Sequence, residues 1–287
     1  MPIGGQAVIE GVMLHDGRRV VVAVRTPQGT VTVEPIPIRF AVPRLEAIPV
    51  VRGSIKLVQM LALGWNALKR SAELAHPEEA PASRWEFLTV ILFVVVILVG
   101  GFMLLPAFLT GLTGIENRVL FNLVEGGIRV SLFLGYLVAI SSVPDIRRVF
   151  QYHGAEHKVV HAYEEGTASL ADAKRRSPIH PRCGTSFLLL FVVVAILVFS
   201  LVPTPNLWVR LAGRILFLPV VAGLTYEILR FGSRNPRAWW LRPLLLPGLL
   251  LQRLTAREPS DDQIEVALAA LRYVTGQETE RSLSTTE

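Results

Sequence analysis

Two short runs in one polar stretch of this chain hold side chains able to do chemistry: Tyr152-His153-Gly154-Ala155-Glu156-His157-Lys158 and His180-Pro181-Arg182-Cys183-Gly184. On a helix, His153 and His157 share a face, so two imidazoles can meet one metal ion while Glu156 projects beside them. His-x-x-Glu-His is the inverted zincin order, in which the histidines are ligands and the glutamate is a general base toward water. A catalytic site of this kind needs a third protein ligand and one open position. Cys183, His180, Glu164 and Glu165 can supply that ligand, with His180 and Cys183 favoured, and His161 extends the histidine face by one turn. The expected cofactor is a divalent metal, with zinc as the candidate. Four of the six histidines and the single cysteine lie in this segment, whereas His15 and His76 stand alone and read as structural and solvated residues. The alternative is a metal-free network of His, Glu and Arg that holds a loop against a membrane.

What must position these residues is set by composition. A chain that is 51% hydrophobic and 18% charged, with a mean hydropathy of +0.46, is too apolar for an ordinary soluble enzyme and reads as a polytopic membrane protein. The net charge of +6 sits in loops and tails that flank apolar runs, without the aromatic-interleaved pattern of a nucleic-acid surface, so nucleic acid is not an expected partner. One cysteine excludes an internal disulfide. Met1 to Gly5 has neither a basic region nor an apolar core, so no cleaved signal peptide is expected.

About four membrane spans are predicted. Phe87 to Leu109 is free of charge and long enough for a bilayer. The second span, about Val119 to Pro144, carries Glu125 and Arg129 four residues apart, and Gly126-Gly127 leaves open a break after a short interfacial piece. The third runs from Gly184 through Val209, with Pro203 and Pro205 marking its end. The fourth, about Leu211 to Phe231, contains Arg214, Pro219 and Glu227, and an ionisable residue at that depth makes Glu227 a functional candidate. Trp239 to Leu251, broken by Arg242, Pro243, Pro247 and Gly248, is expected to lie in the interface or re-enter. Lys and Arg concentrate before the first span, between the second and third, and after the fourth. This puts both termini and the histidine segment in the cytoplasm of a multi-pass inner-membrane protein.

Ahead of the spans, Arg18 to Val24 and Thr30 to Ile38 flank Thr26-Pro27-Gln28-Gly29 and predict a β-hairpin. Gly53 to Leu74 spaces Ile55, Val58, Leu61 or Ala62, Trp65 and Leu68 as an amphipathic helix, either lying on the inner membrane surface or packed on the hairpin. Ser260 or Asp261 caps a helix through about Val274, with a disordered tail after it. The divisions are a hairpin region (1-52), amphipathic helix and linker (53-86), first transmembrane hairpin (87-144), His-rich segment (145-183), second transmembrane hairpin (184-231), and an interfacial segment, helix and tail (232-287). Glycine-rich Gly4 to Met13 brings Glu10 forward as a further candidate, to be weighed against a tight strand and turn with a structurally paired acid; without G-x-G-x-x-G or a P-loop lysine, nucleotide binding has little support.

Gly4-Gly5-Gln6-Ala7-Val8-Ile9-Glu10-Gly11-Val12-Met13, the two histidine runs extended to Phe187, and Glu258-Pro259-Ser260-Asp261-Asp262-Gln263-Ile264-Glu265-Val266-Ala267 together resemble the YqhQ family of bacterial membrane proteins. The resemblance spans almost the whole chain and implies a polytopic membrane protein, described as a predicted metal-dependent enzyme with no reaction attached. The expected fold is thus an α-helical polytopic membrane protein with a small β-containing cytoplasmic N-terminal region. The expected function is metal-assisted hydrolysis of a membrane-proximal substrate, a lipid or a membrane protein. The rivals are a noncatalytic scaffold or membrane-protein biogenesis factor and, more weakly, a transporter that uses Glu227 and the Glu125/Arg129 pair. The lipid bilayer and a second copy of the chain are the further expected partners.

Overall fold

The computed structural model describes residues 3–37, 43–78, 84–181, 183–200, 207–235 and 242–277. Arg182, the Pro203 and Pro205 stop, the Trp239 start of the last apolar run and the tail beyond 277 lie outside the described residues.

Four strands, β1 (Gly4–Val8), β2 (Gly11–His15), β3 (Val20–Arg25) and β4 (Val31–Pro35), form an antiparallel sheet in sequential order. The expected hairpin is the β3–β4 pair, and the glycine-rich N-terminus adds β1 and β2 to it. The β1–β2 turn is only Ile9-Glu10, and its second residue, Glu10, takes the left-handed region at φ 49, which is uncommon for a residue other than glycine. Gly11 permits the next contact, because a methyl group there would meet the Ala23 carbonyl oxygen at 2.0 Å. Strands β2 and β3 are almost continuously apolar because helices cover both faces of the sheet. One face (Val12, Leu14, Val21, Ala23, Val33) packs on helices α6 and α11, introduced below. The other (Val8, Met13, Val22, Val24) packs on Leu63, Ala67 and Ala75 of helix α2 (Val51–Ala75), which follows the short α1 (Pro43–Glu46).

Helix α2 therefore uses a different stripe from the one its periodicity suggested. Its small residues Gly64, Ala67, Ser71 and Ala75 meet the protein, while Val58, Leu61 and Trp65 stay 65%, 64% and 50% exposed. Close approach explains the choice: a side chain at Gly64 would collide with Gln6 (2.7 Å), and one at Gly53 with Tyr226 (2.6 Å).

Among the described residues, three helical stretches are long and apolar enough to cross a membrane: Leu88–Gly111, Val119–Ile140 and Ala212–Gly232; Gly184–Phe199 is apolar but shorter. The first is built from α3 (Arg84–Val96), a π-helical stretch (Ile97–Leu104) and α4 (Leu105–Gly111). The second is α5 (Arg118–Ile140), which continues through Gly126-Gly127 without a break because Gly126 is where Ile196 of α8 (Gly184–Ser200) seats, 2.7 Å from a would-be methyl. The third lies in α9 (Leu207–Arg234). After three residues α5 is followed by α6 (Pro144–Glu164), started by Pro144 in the first turn. Then come the short α7 (Leu170–Lys174), α10 (Arg242–Thr255), which lies on α8 with Gly248 against Ser186, and α11 (Asp261–Val274). Ser260 caps α11 in a capping box with Gln263, and Ile264, Leu268, Leu271 and Val274 are buried.

Among the described glycines the closest approach is at Gly154, where a methyl group would lie 1.9 Å from the Arg257 carbonyl oxygen. Gly154→Ala is expected to destabilise the folded chain by about 3 kcal/mol, seen as a lower melting temperature, whereas Gly135→Ala, with nothing within 4 Å, leaves it unchanged or raised. Equal melting temperatures would remove this contact from the account of the fold.

Candidate metal centre

Helix α6 carries His153, Glu156, His157 and His161 on the turns that face the segment 177–183 and the end of α10. The backbone of those two segments fixes the rings. His153 Nδ1 lies 2.7 Å from the Thr255 carbonyl and His157 Nδ1 lies 2.5 Å from the Pro178 carbonyl. A carbonyl only accepts, so each Nδ1 carries the proton and each Nε2 keeps its lone pair. The two rings are neighbours, with centroids 4.4 Å apart. Cys183 Sγ sits 3.2 Å from His153 Nε2, and one ligand atom from each of His153, His157 and Cys183 lies within 4.8 Å of the others.

Three features of this donor set bear on whether it could hold a divalent metal. Both histidines are oriented by a carbonyl on the far nitrogen, the usual outer support of a metal-ligating imidazole. Cys183 is buried and its thiol is pushed up by that burial, yet the Thr185 hydroxyl (3.1 Å) and backbone N–H (3.4 Å) lie on its sulfur and favour a thiolate. Glu156 Oε2 faces His157 Nε2 at 3.5 Å, so two acceptors oppose each other unless a proton or a cation lies between them. Burial pushes the Glu156 carboxyl up to about 7, the His153 side opposing and the Cys183 side adding to the shift. Glu156 is also roofed by the sheet, since a methyl group on Gly5 of β1 would meet its Cγ at 2.9 Å.

The other expected residues are arranged around this group. His180 is not in it: its ring is 5.6 Å from that of His157 and 4.3 Å from that of His161, and Nε2 lies 3.5 Å from the Glu164 carboxylate. Its backbone is clamped by the buried Gln252 side chain, which accepts from His180 N–H (2.8 Å) and donates to its carbonyl (3.0 Å). His161 donates through Nε2 to the Ile179 carbonyl (3.0 Å), and so helps hold the 178–180 backbone. Glu165 pairs with Arg176 at 2.5 Å. Glu10 is bound by Arg148 (Nε to Oε1, 2.6 Å) and by the Tyr152 hydroxyl (3.3 Å). The Arg148 guanidinium holds the Glu10 carboxyl below the usual range, and Glu10 serves as a clasp between the β1–β2 turn and α6. Glu227 takes both nitrogens of the Arg52 fork (2.6 and 2.5 Å), tying the start of α2 to α9.

Sequence reasoning missed several partners. The carbonyls of Pro178 and Thr255 have no side-chain signal. Glu258 reaches the buried Lys158 and neutralises it, although both sit in the runs quoted above. Glu125 pairs with Arg129, as i,i+4 spacing suggests, but its second oxygen binds Arg214 of α9 at 2.7 Å.

A family profile described as "Protein of unknown function (DUF1385)" matches residues 48–277. The "Uncharacterized protein YqhQ" of Bacillus subtilis (strain 168) is 37% identical over 289 residues, which covers 92% of this chain and 89% of that protein. No solved structure matches the chain.

Burial pushes His157 down to about 3 and His180 down to about 4. Below an unfolded histidine pKa of about 6.5, the unfolded chain takes up two protons that the folded chain refuses. Glu156 works the other way between about 4.5 and 7, because the folded chain holds its proton. His15, also pushed down by burial, adds to the histidine side, so unfolding takes up about one proton net or more and stability falls by at least roughly 1.4 kcal/mol per unit as pH drops from 6.5 to 4.5. In chelator-treated protein, chemical unfolding should show this slope, and His157→Asn should flatten it. Stability that is level or rising over that window would contradict the burial of neutral imidazoles.

Proposed function

The chain belongs to the DUF1385 family, and we propose that it is a multi-pass inner-membrane protein holding a divalent metal, zinc by ligand type, through His153, His157 and Cys183 for hydrolysis of a membrane-proximal substrate. The observation that carries the proposal is the convergence of two imidazoles, each with its distal nitrogen tied to a backbone carbonyl, on one buried thiol beside a buried carboxyl. A His2Cys set leaves a fourth position for water or substrate. The metal would supply Lewis acidity that lets water lose a proton near neutral pH. Glu156, held near neutrality by burial, accepts that proton at its carboxylate and returns it to a leaving group. The roof of β1 over Glu156 excludes bulk water from one side.

The rival reading as a noncatalytic scaffold draws on the same bonds. His153, His157 and His161 are each tied to backbone, which a structural network would also require. Metal analysis and one substitution separate them. His153→Ala, His157→Ala and Cys183→Ser should each strip most of the bound metal from purified protein, while His76→Ala retains it. Glu156→Gln should keep the metal and the melting temperature and lose in-cell complementation. If Glu156→Gln complements fully at unchanged stability, the base is wrongly assigned; loss of complementation with a large fall in melting temperature favours the scaffold.

Orientation follows from the arginine- and lysine-rich flanks, which favour the cytoplasmic side. With α8 as a fourth crossing beside the three longer stretches, it puts both termini and α6 inside. A Ser169→Cys variant, with its cysteine on the exposed start of α7, should react with an impermeant maleimide only after the cells are opened. Reaction in intact cells would reverse the topology.

A further inference from the structure

A cleft of about 480 Å³ opens beside the histidine group, lined by Arg147 and Gln151 of α6, Pro178 and Ile179, and Arg253, Ala256, Arg257 and Glu258 at and after the end of α10. Its charge is strongly one-sided. Three arginines (147, 253 and 257) line it against one carboxylate, and that carboxylate, Glu258, is engaged by the buried Lys158. Among the described residues neither Arg147 nor Arg253 has an acidic partner, and Arg257 spends one nitrogen on the Ser141 carbonyl at 3.2 Å. Ser141 caps the apolar helix α5, so this bond fixes the cleft at the end of a stretch long enough to cross a bilayer, where a lipid headgroup would stand. Arginines that merely set orientation have no reason to converge on one concavity. A planar guanidinium fork matches the oxygens of a phosphate, and several together make an anion site.

We propose that this cleft binds a phosphate-bearing group, with Arg147, Arg253 and Arg257 as its donors, and that the substrate class of the neighbouring centre is a phosphorylated amphiphile. The second half rests on the metal-centre reading; the binding itself does not. The cleft and the histidines share backbone at Pro178, which lines the cleft and bears the carbonyl that orients His157, while Thr255, whose carbonyl orients His153, directly precedes the lining residue Ala256. A headgroup held there lies against the outer side of the ligand shell.

The test uses the full chain in detergent, with dihexanoyl phosphatidic acid, dihexanoyl phosphatidylcholine and inorganic phosphate as probes and calorimetry as the readout. Phosphatidic acid should bind saturably and phosphatidylcholine much more weakly. Arg147→Gln/Arg253→Gln, both at exposed positions, should bind phosphatidic acid at least ten-fold more weakly while keeping the wild-type metal content and melting temperature. Inorganic phosphate binding as tightly as the lipid would keep the phosphate site and make its source soluble. Arginine-dependent binding that survives chelation supports the cleft even if no metal is found. Absence of binding by either phosphate probe, or wild-type affinity in the double variant, would overturn the proposal, as would binding that disappears on chelation but ignores the arginines.

Discussion

At Gly154 the turn between α10 and α11 lies directly on helix α6, and the absence of a side chain lets the Arg257 carbonyl come against the helix backbone. Around this point the bonds accumulate. Arg257 N–H donates to the Phe150 carbonyl at 2.8 Å, Gln151 reaches the Glu258 carbonyl at 3.5 Å, and the Glu258 carboxylate takes Lys158. One turn earlier, the Thr255 carbonyl sets the His153 ring. The crossing thus fixes α10, α11 and α6 together, and a shift of the turn would release a metal-ligand candidate, a buried ammonium and a helix start at once. Its cost is a glycine inside a helix, about 1 kcal/mol relative to alanine, which the packing offsets.

The same economy governs the charges away from the site. Glu125 is buried between Arg129 on its own helix and Arg214 on α9, and Arg129 also donates to the Phe102 carbonyl inside the π-helical stretch at 2.9 Å. The Glu125 carboxylate thereby joins two apolar stretches, and Arg129 ties in the third. Glu227 with Arg52 joins α9 to α2, and Glu10 with Arg148 joins the sheet to α6. Removing one partner of the buried Glu125 cluster leaves a charge uncompensated and is strongly destabilising, whereas the Glu227–Arg52 and Glu10–Arg148 pairs are partly exposed and serve mainly to fix register. This gives the charged residues in otherwise apolar helices a structural use.

Much of this was legible in the sequence, and the parts that were not have a common cause. The capped helix from Ser260 to Val274, the hairpin across residues 26–29 and the apolar stretches follow from local rules: capping residues, turn residues and run length. The pairing of His153 with His157 follows from helical spacing. The stripe of α2 that packs inward does not, because small residues at Gly64, Ala67 and Ser71 win a contact by allowing close approach, whereas periodicity weighs Trp65 and Leu61 more heavily. The choice of Cys183 in the ligand group depends on where the Pro178 and Thr255 carbonyls hold the rings, and a carbonyl leaves no trace in residue type. Arg214 as the second partner of Glu125 is a contact 89 residues apart, beyond any local pattern. The strands β1 and β2 were obscured by glycines, whose function here is to let Glu156 and β3 come close to the sheet.

The site draws its parts from three separated segments: α6, the stretch from Pro178 to Cys183, and the end of α10. None holds two ligand candidates and their carbonyl supports alone, so the group exists only when those segments are folded together, and a bound cation would stabilise their arrangement by its own binding free energy. The converse also holds. Because the rings are oriented by backbone and not by flexible side chains, their positions move only if the 178 or 255 backbone moves. Of these two, Pro178 itself lines the arginine-lined cleft, and Thr255 directly precedes the lining residue Ala256. A group seated in the cleft would therefore bear most directly on the Pro178 carbonyl and, through it, on the ring of His157.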